Sequence, residues 1–460
     1  MDIAARIIEP KVQIAEEEKV FSNEYLKQLI VPIILESFLT FLVGMVDSMM
    51  VSYAGEATVS GVSLTNQLNN VFIMIFRAIA TGGGVVVSQY IGSKEKEKGN
   101  LAASQLMMIG TIISLAMMVL ILFWGKDIYR GLYVKLEDEV FEAGCIYLMI
   151  SAFSFPFMFL YQGCARVLQA ESRTKEIMYT SLGMNILNVI GNAIGIFVLR
   201  AGVRGVAYPS LISRAVAAIV LFAMIMGKDN PVFVEFKNIF YVNWEMVKRV
   251  FSIAIPNTVE DGLFQVAKVV LSMIVAYFGT VQITAHGVAG NFWQVASIFA
   301  CAMGPALLTV SGQCMGAGKP EVAEYYLKKM IRITYAGQFI WCSAFTIATP
   351  LILKFYSLSP ETIRLTIIIV LIHNIGNLFF GPLAFAFSAG LRGAGDAKYC
   401  MYAAIFTSVI VRVALSFLFG VYFQWGAAGI TLAMACDWAV KSVLVWNRFK
   451  SGKWKTKKVI

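Results

Sequence analysis

The chain has 460 residues, 58% of them apolar and 14% charged, with a formal net charge of +10 and a mean hydropathy of +0.72. Soluble domains carry roughly 45–50% apolar and about 25% charged residues, so a soluble fold of this composition would expose more apolar surface than water tolerates. An ordinary soluble enzyme, a disordered chain and a secreted disulfide scaffold are excluded, and an all-α integral membrane bundle is expected.

Residues 1–26 are of mixed charge and hold no cleavable apolar core, so the first span is expected to direct insertion and the segment to stay cytoplasmic. Runs of roughly 20 apolar residues mark spanning helices. Breaks at glycine, proline and charge clusters predict twelve of them, near 27–50, 57–91, 100–124, 139–167, 176–199, 204–226, 249–278, 283–314, 328–352, 361–391, 399–421 and 426–446. The charge-free run Val269–Gly318 is too long for one span and is expected to break at Tyr277-Phe-Gly-Thr280. The first six helices form an N-terminal lobe, 27–226. A polar cytoplasmic linker follows over 227–248, then a C-terminal six-helix lobe over 249–447 and a basic cytoplasmic tail over 448–460.

Charge supports an even count. With both termini on the cytoplasmic side, the inner segments hold 26 of the 38 Lys and Arg, among them Lys94, Lys96, Lys98, Arg173, Lys248 and Arg249. The outer segments hold seven: Lys126, Arg130, Lys135, Arg200, Arg204, Lys354 and Arg364. That bias sets the expected orientation in the plasma membrane, and the dispersal of the bases argues against a nucleic-acid partner. The seven cysteines lie unclustered in apolar stretches, which argues against disulfides and a metal site.

The halves repeat at an offset near 224. Val31-Pro-Ile-Ile-Leu-Glu36 matches Ile255-Pro-Asn-Thr-Val-Glu260, and Met50-Val-Ser-Tyr-Ala-Gly55 matches Ile274-Val-Ala-Tyr-Phe-Gly279. Leu168-Gln-Ala-Glu-Ser-Arg-Thr-Lys175 likewise matches Leu391-Arg-Gly-Ala-Gly-Asp-Ala-Lys398. Six helices per copy put both copies in one orientation, a parallel repeat of the kind found in secondary transporters.

Several stretches resemble the multidrug and toxic compound extrusion (MATE) family. They are Leu42-Val-Gly-Met-Val-Asp47, Val87-Ser-Gln-Tyr-Ile-Gly92, Val310-Ser-Gly-Gln-Cys-Met-Gly-Ala-Gly318, Leu391-Arg-Gly-Ala-Gly-Asp396, Cys436-Asp-Trp438 and Ser451-Gly-Lys-Trp454. Their order spans essentially all twelve helices. The resemblance implies a V-shaped pair of six-helix lobes and export of organic cations against inward sodium or proton flow.

Ionisable groups within spans are costly and mark function or buried partners. Glu36 and Asp47 are 11 residues apart, about 1100° of helical rotation, so both lie on one face about 16 Å apart with Thr40 and Gly44 between them. Glu260 repeats Glu36, and both are candidate coupling carboxylates, each serving the cytoplasmic opening of its lobe. For both glutamates the alternative is a cap or an ion pair near the helix start, with Lys27 or Arg249 as partners of Glu36. Asp47 has no base beside it in sequence, and it matches the acidic position best known in the family. Asn188 and Asn192 share a helix face. The family often carries an Asp-Pro at the second position, where this chain reads Asn192-Ala193. Ser210 stands where the family usually has a small hydroxyl. An Asp47–Asn188–Asn192–Ser210 cluster with a single carboxylate is therefore expected, with ordinary interhelical polar packing as the alternative. One buried acid suits a proton better than sodium, which wants several oxygen ligands, so a proton is the favoured coupling ion and sodium at Asp47 the alternative.

The family's sodium site on helices seven and ten does not carry over, because helix ten here bears His373 and Asn374 and no acid. His373, Asn374 and the repeat-related Gln67 and Asn291 are candidate cavity residues. Arg77, Arg214, Lys268 and Arg412 also fall within spans, with Lys268 on the same helix face as Asp261. Gly316-Ala-Gly-Lys-Pro320 lacks the spacing and hydroxyl of a phosphate loop, and two histidines cannot build a His-Glu-x-x-His zinc site. No catalytic residue and no cofactor beyond the coupling ion are expected. The expected protein is a monomeric antiporter of small organic cations or amphipathic drugs, working in the lipid bilayer. The rival reading is a lipid-linked oligosaccharide flippase of the wider superfamily.

Overall fold

The computed structural model describes residues 9, 10, 14, 18–133, 136–356, 358–457, 459 and 460, apart from the side chains of Ser48 and Ser52. Lys135 and Lys458 of the basic bias, and most of residues 1–17, lie outside that description. The described chain is all helical and contains no strand. It divides into a first unit, Asn23–Thr258, and a second, Val259–Val459, which also takes in the N-terminal segment up to Ser22.

In the first unit α1 (Asn23–Ser52), α2 (Glu56–Ser93) and α3 (Lys96–Leu132) are long single helices. The predicted fourth span is two helices, α4 (Asp138–Phe153) and α5 (Phe155–Ala170), bent by 48° where Pro156 opens α5. A proline at the second position of a helix cannot continue the hydrogen-bond ladder of the helix before it. There the Ser154 hydroxyl donates to the Ser151 carbonyl at 2.6 Å. Next come α6 (Thr174–Ala193), ending in a wide turn over Ile194–Val198, then α7 (Arg204–Ile225) and the short α8 (Phe236–Ile239). Helix α9 (Trp244–Ala276) crosses the division between the units.

The second unit continues with α10 (Thr280–Ala296) and α11 (Ile298–Gly316), which meet at Ser297 where one helix had been expected. After α12 (Pro320–Leu353), α13 (Pro360–Gly381) passes through a wide turn at Pro382–Phe387 into α14 (Ser388–Gly393). The predicted eleventh span comprises α15 (Ala397–Ile405) and α16 (Arg412–Ser416), each followed by a wide turn, and α17 (Gly426–Lys450) is the last helix. Among the described residues ten helical stretches are long and apolar enough to cross a membrane, eleven with α4–α5 as one bent span. Helix α9, with Glu260, Asp261 and Lys268 in its middle, completes the twelve-helix, two-lobe arrangement.

The repeat is visible in the backbone. Chain breaks fall at Gly55 (φ 102°) and Gly279 (φ 90°), one before α2 and the other before α10, and a positive φ of this kind is cheap only for glycine. The second span of each unit packs on the third and the fourth: α2 on α3, α4 and α5, and α11 on α12 and α14. The third spans also hold matching straps. Strap residues 232–243 lie along α3: the Phe233 N–H donates to Asn100 Oδ1 (2.9 Å), the Glu235 N–H to Ser104 Oγ (3.0 Å) and the Asn243 N–H to Gln105 Oε1 (2.9 Å). In the second unit Lys329 of α12, 224 residues beyond Gln105, pairs with Glu9, while Tyr326 accepts the Phe21 N–H at 2.9 Å. Buried polar side chains at the start of a span are thereby satisfied by strap backbone or strap acid.

Glu171, between α5 and α6, joins the first of these straps. Its Oε1 accepts the Val232 N–H at 3.1 Å, and Arg173 lies 3.6 Å from its other oxygen. Burial pushes the carboxyl up to about 7, outweighing the lowering by Val232 and Arg173.

Candidate functional site

Close approach of two helices builds the polar cluster of the first unit. A Cβ on Gly205 would stand 2.6 Å from the Gly195 carbonyl oxygen, and one on Gly191 would stand 2.6 Å from Pro209 Cβ. Small residues thus let the end of α6 run against the start of α7. That contact brings Asn188 within reach of Ser210, whose hydroxyl accepts the Asn188 amide at 3.0 Å. The amide of Asn192, fully buried, donates to Asn188 Oδ1 at 3.3 Å and to the Asp47 carboxylate on α1. The four residues expected to form a cluster lie together as one hydrogen-bonded chain, Asp47–Asn192–Asn188–Ser210.

Two groups belong to this cluster that sequence reasoning did not place there. Arg214 is an electrostatic neighbour of Asp47 and donates to Ser154 Oγ at 3.1 Å. The sequence had left Asp47 without a base, yet Arg214 stands one turn beyond Ser210 on α7, and that spacing was the available signal. Tyr147 of α4, almost fully buried, is a neighbour of Asp47, Ser210 and Arg214. An apolar wall of Val51, Val62, Ile150, Val206 and Ala207 packs around that tyrosine. The Asn192 Oδ1 atom is buried with no hydrogen-bond partner among the described residues. The cluster therefore offers one carboxylate, one spare amide oxygen and one nearby guanidinium, enough to take up or release a proton.

Glu36, on the same helix as Asp47, faces Arg166 and Tyr161 of α5. Its repeat partner Glu260 is enclosed more tightly: Arg392 of α14 and Lys441 of α17 each reach it at 2.9 Å. Glu260 thus serves as the shared counter-ion of two bases and pins three helices together. Of the candidate cavity residues, Gln67 and Asn291 are exposed, whereas His373 and Asn374 are buried. Asn374 donates to Thr346 Oγ1 at 2.7 Å, and His373 stacks on Trp438 with ring centres 6.0 Å apart. His286 is half-buried near the start of α10. The ammonium of Lys268 lies over the rings of Phe264 and Trp293. Arg412 pairs with Asp437 inside the second unit, its Nε at 2.8 Å. No group of three or more His, Cys, Asp or Glu able to hold a metal occurs among the described residues.

Known proteins share this architecture. The MatE family model matches twice, over residues 32–194 and 256–418, two stretches that begin 224 residues apart. An uncharacterized transporter, YisQ, of Bacillus subtilis is 27% identical over 92% of this chain and 93% of its own length. A probable multidrug resistance protein, NorM, of Thermotoga maritima is 23% identical over 98% of this chain and 96% of its own. A crystal structure of a MATE protein in complex with MaL6 superposes with a TM-score of 0.87 at 17% identity, covering 94% of this chain and 97% of that one. With both halves matched by the family model on a twelve-helix, two-lobe frame, the chain belongs to the MatE family of multi-pass membrane transporters.

Proposed function

We propose that the protein is a secondary active antiporter of the cell membrane that exports small amphipathic organic compounds in exchange for protons, with Asp47 as the coupling group. The observation that carries this reading is the chain from Asp47 through Asn192 and Asn188 to Ser210. It joins a single carboxylate to neutral groups that can donate to it or accept from it. A carboxylate among neutral partners changes the charge of its surroundings by one unit when it takes a proton, and a transporter converts such a change into a shift between states. Drug export is supported by the multidrug resistance named for the Thermotoga relative. The excess of bases in the expected inner segments supports termini on the cytoplasmic side.

Sodium is the second reading, supported by the unpartnered Asn192 Oδ1 near Asp47. Two protein oxygens are a sparse shell for a hard cation, and the proton is preferred. Dye efflux from vesicles, with pH and sodium gradients imposed separately, tests the proposal. Export driven by the pH gradient alone is expected; export that needs sodium and ignores pH would overturn proton coupling.

A further inference from the structure

Asp261, Gln265, Lys268 and Ser272 of α9 are spaced by four, three and four residues and form one stripe down the helix. Gln265, Lys268 and Ser272 are exposed. An exposed ammonium at mid-span is too costly against hydrocarbon, so this stripe is a hydrated face. The Lys268 Nζ is 5.6 Å from the Phe264 ring centre and 5.8 Å from that of Trp293, and no carboxylate forms an ion pair with it among the described residues. Asp261 stands about 10 Å away along the helix axis.

Behind the stripe the second unit is basic and aromatic. Trp293 stacks on Trp438 with centres 5.7 Å apart and planes 22° from parallel. The Arg412 guanidinium lies over the Phe264 ring, 4.7 Å from its centre. Lys268 is an electrostatic neighbour of His286, His373 and Arg412, and His373 is also one of His286 and Arg412. The nearby acid, Asp437, is engaged by Arg412. With neutral histidines the formal charge of Lys268, Arg412 and Asp437 together is one positive. Among the described residues Arg412 Nη1 and the indole nitrogens of Trp293 and Trp438 are buried donors without acceptors, and Asp437 Oδ1 is a buried acceptor without a donor.

We propose that this face of the second unit binds planar aromatic anions, arylcarboxylates above all, with the ring against Trp293 and the carboxylate on the Lys268 ammonium. An organic cation meets repulsion here, and a neutral arene gains the stacking without the ion pair. The proposal narrows the substrate class of the export reading and rests on it for the ligand's passage across the membrane.

The test is calorimetric titration of the full chain in phosphatidylcholine nanodiscs with 2-naphthoate and with its cationic counterpart 2-naphthylmethylammonium. Naphthoate is expected to bind about tenfold more tightly, as a charge-assisted contact implies. Lys268→Gln is expected to weaken naphthoate about tenfold and leave the cation unchanged or tighter, and Lys268→Arg to restore most of the anion affinity. Equal binding of the two compounds, or naphthoate binding indifferent to Lys268→Gln, would overturn the proposal. Charge-selective binding without export of naphthoate from vesicles would count against the export reading and leave the site standing. Export of cationic dyes by a protein that does not bind naphthoate would sink the site alone.

Discussion

Replacing Glu260 by Gln keeps the shape of the side chain and removes the one charge that Arg392 and Lys441 share. Both bases sit 2.9 Å from its oxygens, and all three side chains are at least four-fifths buried. Removing one partner of a buried ion pair costs about 3–5 kcal/mol, because the remaining charge has lost its solvent as well as its counter-ion. Here two bases are stranded, and Asp261, an electrostatic neighbour of Arg392, offsets part of the loss. A cost of about 3 kcal/mol is therefore expected, which for a unit of this size lowers the melting temperature by about 6–12 °C. Thermal unfolding in detergent micelles measures it. The Glu260→Gln, Lys441→Met double variant removes one stranded base and should recover at least half of the loss, with export restored in parallel. A Glu260→Gln protein as stable as the parent would refute the counter-ion argument. A double variant that is stable but exports nothing would move Glu260 from the frame into the transport machinery.

Two further outcomes follow from the first unit. Glu171 has its folded-state carboxyl raised to about 7, so its contribution to stability is complete below about pH 4.5 and lost as pH rises through 7. Melting followed across that window should show a decline worth up to about 3 kcal/mol, and Glu171→Gln should flatten it; an unchanged slope would refute the assignment. Gly205→Ala puts a methyl group 2.6 Å from the Gly195 carbonyl oxygen, forcing α6 and α7 apart at a cost of about 1–3 kcal/mol. Gradient-driven efflux should fall with it, because Asn188 and Ser210 lose contact, and a variant of parental stability and activity would contradict the close crossing.

Spans and repeat were legible because both are written in hydrophobic runs and short local matches. The break near Tyr277–Thr280 was readable from Gly279, and the kink at Pro156 was readable in principle, since proline interrupts a helix by its own covalent geometry. The separation of α10 from α11 at Ser297 carries no such mark. Within the site, Asn188 and Asn192 could be paired by the helical period, whereas Asp47 and Ser210, on two other helices, were joined to them by the family resemblance. Arg214 could be tied to the cluster only through its one-turn spacing from Ser210, and Tyr147 was harder, because its relation to Asp47 depends on how α4 packs beside α1 and no spacing along one helix encodes that. The partners of Glu260 lie 132 and 181 residues away along the chain, so its role as a shared counter-ion is purely tertiary. The straps were read only as a polar linker and a cytoplasmic N-terminal segment. The first strap is held on α3 largely through its backbone N–H groups, which leave little trace in side-chain pattern, and the Glu9–Lys329 pair of the second joins residues 320 apart.

The central claim is that one carboxylate, Asp47, couples export to the proton gradient. The most direct measurement is efflux from vesicles containing Asp47→Asn, driven first by an imposed pH gradient and then by the substrate's own concentration gradient. Asparagine keeps the hydrogen-bonding reach to Asn192 but cannot change charge. The account predicts that the pH gradient no longer accelerates efflux from the variant, while downhill movement of substrate continues. Proton-driven export at the parental rate by Asp47→Asn would contradict it.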